Sequence, residues 1–287
     1  MEAPPIRVKR FEDELGWHEQ VLRAPDPTLG VVVREYTGYG SQTPGPARRR
    51  HTPSGGLPLI FTFGEPLRHL DPRRPDDRPR AYRAFFAGLH DSYALTESEG
   101  WAGGIQIDFS PIGAYLLLGR PMHEFTNQVL DVRDALGPAA GELAERLSYE
   151  TNWDARFAMI DAFIASRLRI GPRPSEGIVW AWHRLRASSG NVPIGELTTA
   201  LGCSRKHLVS QFRDQVGLPP KQAARILRFE SAVRALGHAA PKSWTEAAMR
   251  AGYYDQAHLI RDFNEFAGCT PTEFVARMLP TGEVDGA

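Results

Sequence analysis

Cysteine is almost missing from this 287-residue sequence, Cys203 and Cys269 being the whole supply. Two thiols are too few for a disulfide framework, and no Cys-x-x-Cys pair offers a zinc site, so a reducing, cytoplasmic setting is expected. Long apolar runs are missing as well. None approaches the roughly 18 residues that a membrane span needs, so no membrane partner is expected. The opening residues carry acids and no apolar stretch, unlike a secretory leader. Gly-x-Ser-x-Gly, P-loop and dinucleotide fingerprints are absent. No cysteine precedes Cys203, which counts against a DNA-linked enzyme, such as a repair alkyl acceptor, that needs an activated thiol in its N-terminal region. His51, His69, His90 and Asp91 lack the His-x-His-plus-Glu spacing of a metal cupin. The chain is therefore expected to be no enzyme, and to hold neither metal nor cofactor.

Net charge is also missing, with 34 Lys and Arg against 34 Asp and Glu. The distribution is uneven, however. Between Pro174 and Pro280 stand 13 basic and 9 acidic residues, a surplus of about +4 that the remainder must offset. A basic C-terminal region beside an acidic remainder suits a nucleic-acid-binding module with a regulatory companion.

What is present falls into three stretches. Residues 1–115 are rich in Gly, Pro and short β-type runs. Leu29 to Tyr36, Leu57 to Phe63 and Gly104 to Phe109 read as strands, and Gly38-Tyr39-Gly40-Ser41, Pro53 to Gly56 and Pro72 to Pro79 as turns. This pattern predicts a small β-sandwich or barrel. Residues 116–172 change to helical spacing, over Ala139–Leu147 and over Trp153–Leu168, with Asp154 placed to cap the latter. Gly171-Pro172-Arg173-Pro174 then breaks the chain. From residue 174 to 280 the sequence is helical almost throughout, beginning at a Ser175 cap, and 281–287 reads as a flexible tail.

The helical C-terminal stretch contains a repeat. Glu196 and Gly202 match Glu246 and Gly252 at an offset of 50, while His207, Leu208 and Phe212 match His258, Leu259 and Phe263 at 51. Gly217 and Pro220 continue the second offset to Gly268 and Pro271. The shift falls in the turn, which holds one more residue in the second copy. Each copy reads as a short helix ended by a glycine that takes the left-handed conformation cheaply, a cap (Ser204, then Asp255), and a second helix with an apolar pair four apart facing the core. This is a helix-turn-helix, over about 194–216 and again over about 244–267, whose second helix is built to enter a major groove. Gln222 to Leu236 reads as one long helix joining the units.

Two such units on a long helix, with Gly-Tyr-Tyr-Asp-Gln-Ala-His-Leu-Ile-Arg-Asp-Phe and then Gly-Cys-Thr-Pro-Thr-Glu-Phe in the second, resemble the DNA-binding domain of AraC/XylS-family transcription regulators. The resemblance implies an α+β chain: a cupin-like N-terminal sandwich or barrel with a helical extension, then an all-α C-terminal domain. It implies a sequence-specific regulator that binds double-stranded DNA. The N-terminal region is far larger than DNA binding needs, so it is expected to bind an effector, a small molecule or a partner, and to alter DNA binding or contact with RNA polymerase. The helices over Ala139–Leu168 either pack two subunits into a homodimer or pack within the domain.

The same resemblance puts base-reading positions at Arg205, Lys206, Val209 and Ser210, and at Gln256, Ala257, Ile260 and Arg261. The chemistry agrees for some of them. Arg261 suits guanine O6 and N7 and Gln256 suits adenine, whereas Val209, Ala257 and Ile260 offer only a contact to a thymine methyl. Ser204 and Asp255 are placed as caps, and Asp255 is a cap rather than a contact because a carboxylate beside phosphates is repelled; the backbone N–H groups at both helix starts are placed for phosphate contact, and His207 and His258 for a structural or phosphate role. The blander readings are a solvated face for Arg205 and Lys206, and a salt bridge from Arg261 to Asp262 or Glu265. Cys203 reads as a small apolar residue in the turn. Tyr36, Phe61, Phe63, Phe85, Phe86 and Trp101 are either core or the lining of a pocket, and Arg48-Arg49-Arg50 is either an anion site or exposed loop charge. The rival function is a protein-assembly module that never touches DNA.

Overall fold

The computed structural model describes residues 4–13, 16–43, 45–237, 243–278 and 284–286. Strands dominate the first region: β1 (Arg7–Asp13), β2 (Gly16–Arg23), β3 (Val33–Gln42), β4 (Ala47–His51), β5 (Leu57–Thr62), β6 (Leu67–Leu70), β7 (Arg80–Tyr82), β8 (Ala84–Ala87), β9 (Ala94–Ser98) and β10 (Trp101–Phe109). Then come α1 (Pro111–Leu118), β11 (Val129–Asp131), α2 (Val132–Leu136), α3 (Pro138–Tyr149) and α4 (Trp153–Leu168). The C-terminal region holds α5 (Glu176–Ala187), α6 (Ile194–Leu201), α7 (Arg205–Gln215), α8 (Pro220–Leu236), α9 (Trp244–Arg250), α10 (Gln256–Ala267), α11 (Pro271–Ala276) and β12 (Val284–Asp285). A two-sheet N-terminal domain thus precedes a helical one, as the α+β reading expects.

The larger sheet runs β1-β2-β3-β10-β5-β8-β11 and the smaller β12-β4-β9-β6-β7. Strand alternation divides the larger sheet's side chains between two environments. Leu57, Leu59 and Phe61 of β5, Ala84 and Phe86 of β8, and Ile105, Ile107 and Phe109 of β10 join the main core with helices α1 to α4. Ile60, Phe85 and Ala87 form a separate small cluster on the opposite face. Burial of both faces explains why Leu-Pro-Leu-Ile-Phe-Thr and Ala-Phe-Phe-Ala read as continuous apolar runs rather than alternating ones.

Helix α4 clamps the main core. Phe157, Ile160 and Ile164 are buried, while Asp161 accepts from the Tyr36 hydroxyl at 2.6 Å and pairs with Arg23 at 2.8 Å. Burial, then the Asp161 carboxylate, push the Tyr36 phenol far above its ordinary pKa. The cap of α4 is Asn152, whose side chain accepts from the Ala155 N–H at 3.0 Å, and not Asp154, which lies inside the first turn.

Other local expectations shift too. Leu29 ends a 3-10 turn (Pro27–Leu29), so the strand begins at Val33 and runs straight through Gly38-Tyr39-Gly40-Ser41. Those glycines serve close packing, not a turn: a Cβ on Gly38 would meet the Trp153 ring at 2.5 Å. Arg48, Arg49 and Arg50 lie in β4 rather than a loop; Arg48 pairs with Glu97, and Arg50 is buried with its guanidinium over Tyr93. Strand β11, within the stretch read as helical, pairs with β8. Of the expected free tail, Val284 and Asp285 add to β4 as a strand, while 279–283 and 287 lie outside the described residues.

Candidate nucleic-acid interface

Both repeats fold by the same local rules. Helix α6 ends on Gly202 in the left-handed conformation (φ 60°), and Gly252 at the corresponding turn has φ 82°. Ser204 caps α7 by accepting from the His207 N–H at 3.1 Å, and Asp255 caps α10 by accepting from the His258 N–H at 2.7 Å. Leu208 and Phe212 of α7, and Leu259 and Phe263 of α10, are buried. Each second helix runs on to a left-handed glycine (Gly217 or Gly268) and is followed by a helix starting at a proline, Pro220 or Pro271. Helix α8 joins the units, burying Ile226, Leu227 and Phe229.

The residues read as DNA-facing fall on the outward sides of α7 and α10. Ser204, Arg205, Lys206, His207 and Ser210 are exposed, and Val209 is half-buried. In the second unit Ala257 and Arg261 are exposed, while Asp255, Gln256, His258 and Ile260 are half-buried. Gln256 already accepts from the Thr245 hydroxyl at 3.1 Å, and His258 lies edge-on against Tyr253. Cys203 packs against the core as a small apolar residue.

Arg261 makes neither of the salt bridges weighed for it. Asp262 and Glu265 are both held by Arg225 of α8, at 2.6 Å each. Arg261 donates only to the Ala257 carbonyl on its own helix, at 3.3 Å, among the described contacts. Asp262 is 1% exposed, so the Arg225 network ties α10 to α8 at a buried charge. Burial and Asp262 together hold the neighbouring Tyr253 phenol protonated, well above its ordinary pKa. Arg228 completes the framework by donating to Asn191 and to the Gly190 carbonyl while lying over the Tyr253 ring. These arginines carry no local motif; only the fold brings them to their partners. Tyr254, in the turn before α10, is 91% exposed, and no sequence signal beyond its place in the repeat singles it out.

A family model described as a helix-turn-helix domain matches residues 197–277, from α6 through α11. The chain is a DNA-binding transcription regulator with an AraC-type helix-turn-helix domain at its C-terminus. A second model, the domain-of-unknown-function family DUF6597, matches residues 22–131 of the regulator. No curated protein matches it. Among solved structures the regulator is similar to ToxT from Vibrio cholerae, at 11% identity and TM-score 0.47, over 84% of this chain and 97% of that one. ToxT with a bound unsaturated fatty acid matches at 8% identity and TM-score 0.45, over 82% of this chain and 96% of that one. The AraC-like transcriptional activator CuxR matches at 16% identity and TM-score 0.30, over 79% and 86%.

The regulator's N- and C-terminal regions meet directly. Glu230 of α8 accepts from the Gly55 N–H at 2.9 Å and pairs with Arg34 at 3.3 Å. Burial alone would raise its carboxyl, but the Gly55 N–H and the charges of Arg34 and Arg234 outweigh it and hold the pKa low. The buried Arg50 side chain donates to the Ala267 carbonyl at the end of α10. Thr126 donates to the Gly217 carbonyl at 2.8 Å, and His123 stands across a cleft from Lys206, Val209 and Ser210 of α7. Beside Glu230 a cavity of about 420 Å³ opens between the two sheets, and Val233, Phe274 and Val284 of the C-terminal region help to line it. His51, His69 and His90, scattered in sequence, all line that cavity. Among the described residues no group of His, Cys, Asp or Glu is arranged to hold a metal ion, and no helix is long and apolar enough to cross a membrane.

Proposed function

We propose that the regulator acts in the cytoplasm on double-stranded operator DNA, reading bases through Arg205, Lys206 and Ser210 of α7 and through Gln256, Ala257, Ile260 and Arg261 of α10. Ser204 and Asp255 cap the two helices, and His207 and His258 support the phosphate-facing side. The observation that carries this reading is Arg261: exposed, and relieved by Arg225 of both neighbouring carboxylates, it keeps its guanidinium available for a guanine edge. Tyr254, exposed beside the same helix start, belongs to that surface. The N-terminal domain modulates the grip and performs no catalysis. His123, facing the α7 reading side, and the Glu230 contact with Gly55 give it two places to act. Contact with RNA polymerase and pairing of two copies complete the reading.

The test is fluorescence anisotropy on fragments upstream of the regulator's own and neighbouring genes, at several salt concentrations. Selective binding that weakens steeply with salt, and loses about 1–3 kcal/mol in Arg261→Ala, is expected. Equal binding by wild type and Arg261→Ala on every fragment would overturn the assignment of α10.

A further inference from the structure

The inter-sheet space departs from an ordinary sandwich core. By strand alternation Gln106 and Asp108 of β10 point away from the main core that holds Ile105, Ile107 and Phe109, and they line the cavity instead. The buried apolar residues on that side are Ile60, Phe85 and Ala87. A fold that only needed stability would fill these inward positions with apolar side chains. Here one wall is apolar and the facing walls carry hydrogen-bonding groups, which is the lining of a small-molecule site. The volume of about 420 Å³ lies within the roughly 300–1,000 Å³ of such sites.

We infer that this cavity binds an uncharged small molecule with an apolar or aromatic body and one or more hydroxyl or N–H donors. The inference rests on the regulator reading above and gives its effector a chemical class. The polar wall carries hydroxyls and an amide that can donate or accept, and its buried histidines add acceptors. His90 donates its Nδ1–H to the Gly88 carbonyl at 2.7 Å, which leaves Nε2 of the neutral ring as an acceptor. His69 Nε2 is buried without a hydrogen-bond partner. Burial, with His90 close by, keeps the His69 ring neutral down to about pH 4. Charged ligands are disfavoured. A carboxylate would face Asp108 with the two lining arginines already engaged, Arg50 by Ala267 and Tyr93 and Arg49 by the Arg48 carbonyl, while Arg34, outside the lining, is paired with Glu230. A cation would find one acid, Asp108, whose pKa burial has raised. Val233, Phe274 and Val284 belong to the C-terminal region, so the site is complete only while the two regions are docked.

The experiment is isothermal titration of the full chain with four probes of one ring size: 2-naphthalenemethanol, 2-naphthamide, 2-naphthoate and 2-naphthylmethylammonium. The alcohol and amide are expected to bind at least tenfold more tightly than either ion. Phe85→Trp, which fills the apolar wall, should abolish that binding, and His69→Phe should weaken it at least fivefold. Should Phe85→Trp fail to fold, Ala87→Leu makes the same test from the neighbouring position. An ion binding as tightly as the alcohol, no binding by either neutral probe, or binding indifferent to both cavity variants would overturn the inference. DNA anisotropy on the same samples keeps the two readings apart: probe binding that leaves DNA affinity unchanged counts against effector control and leaves the ligand class standing.

Discussion

Glu230, midway along the helix that joins the two DNA-binding units, accepts a hydrogen bond from the backbone of Gly55 in the N-terminal domain at 2.9 Å. Gly55 permits this approach because it has no side chain: a Cβ there would meet Leu227 of the same helix at 2.7 Å. Glu230→Ala leaves the Gly55 N–H and Arg34 without their shared acceptor, a loss of about 1–3 kcal/mol. Scanning calorimetry should then show the N- and C-terminal regions melting as separable transitions, with Glu230→Gln closer to wild type. A single transition at the wild-type temperature in Glu230→Ala would refute the contact.

Arg225 holds α10 to α8, whereas Arg261 is proposed to read DNA, and substitution should separate the two roles. Arg225→Met strands the buried Asp262 carboxylate and is expected to cost about 3 kcal/mol of stability. Arg261→Ala, at an exposed residue, should change stability by no more than about 0.5 kcal/mol while weakening operator binding. Denaturant melts beside anisotropy give both quantities.

The cap at Asp255 supports folding and, on the proposed DNA-facing orientation of α10, opposes DNA. Asp255→Ala removes the acceptor for the His258 N–H and should cost about 1 kcal/mol. Asp255→Asn keeps an acceptor and removes a negative charge next to the phosphates, so its stability should stay near wild type while its affinity for DNA at low salt rises. Equal stability losses in the two variants would argue against the cap.

Acid should destabilise the cavity first. Burial, then His90, lower the His69 pKa from its ordinary 6.5 to about 4. Between those values the unfolded chain binds the extra proton, so the contribution is complete above about pH 6.5 and is lost as pH falls toward 4. From pH 6.5 to 5 the loss should be about 1 kcal/mol once the ring's partial exposure is discounted. Melting temperature against pH should be flatter in His69→Phe.

The tandem units were legible because what defines them is local. A left-handed glycine, a capping side chain and an apolar pair four residues apart all act within one turn of helix, and the repeat displayed each of them twice. The N-terminal domain was less legible because its pairings are distant. Gly38 and Gly40 have the composition of a turn, but Trp153 and Trp17, distant in sequence, pack against them within a strand. Strands as short as Arg80–Tyr82 carry too little pattern to announce themselves. Likewise His51, His69 and His90 have no common spacing, since the sheets bring them together from β4, β6 and the loop after β8. Arg225 gave no sign of taking the two carboxylates read as partners of Arg261, because α8 meets α10 only after folding.

The tail strand has a consequence for dissecting this protein. The sequence suggests a cut near Gly171-Pro174, yet Val284 and Asp285 lie on β4, and Asp285 also donates to the Arg277 carbonyl. A fragment beginning after that cut would carry away the last strand of a sheet it no longer contains, and would bare Val233 and Phe274 to water. The polypeptide is thus divided along one line on paper and along another in space, and only an excision that respects the spatial seam would yield two pieces that each keep their own surfaces.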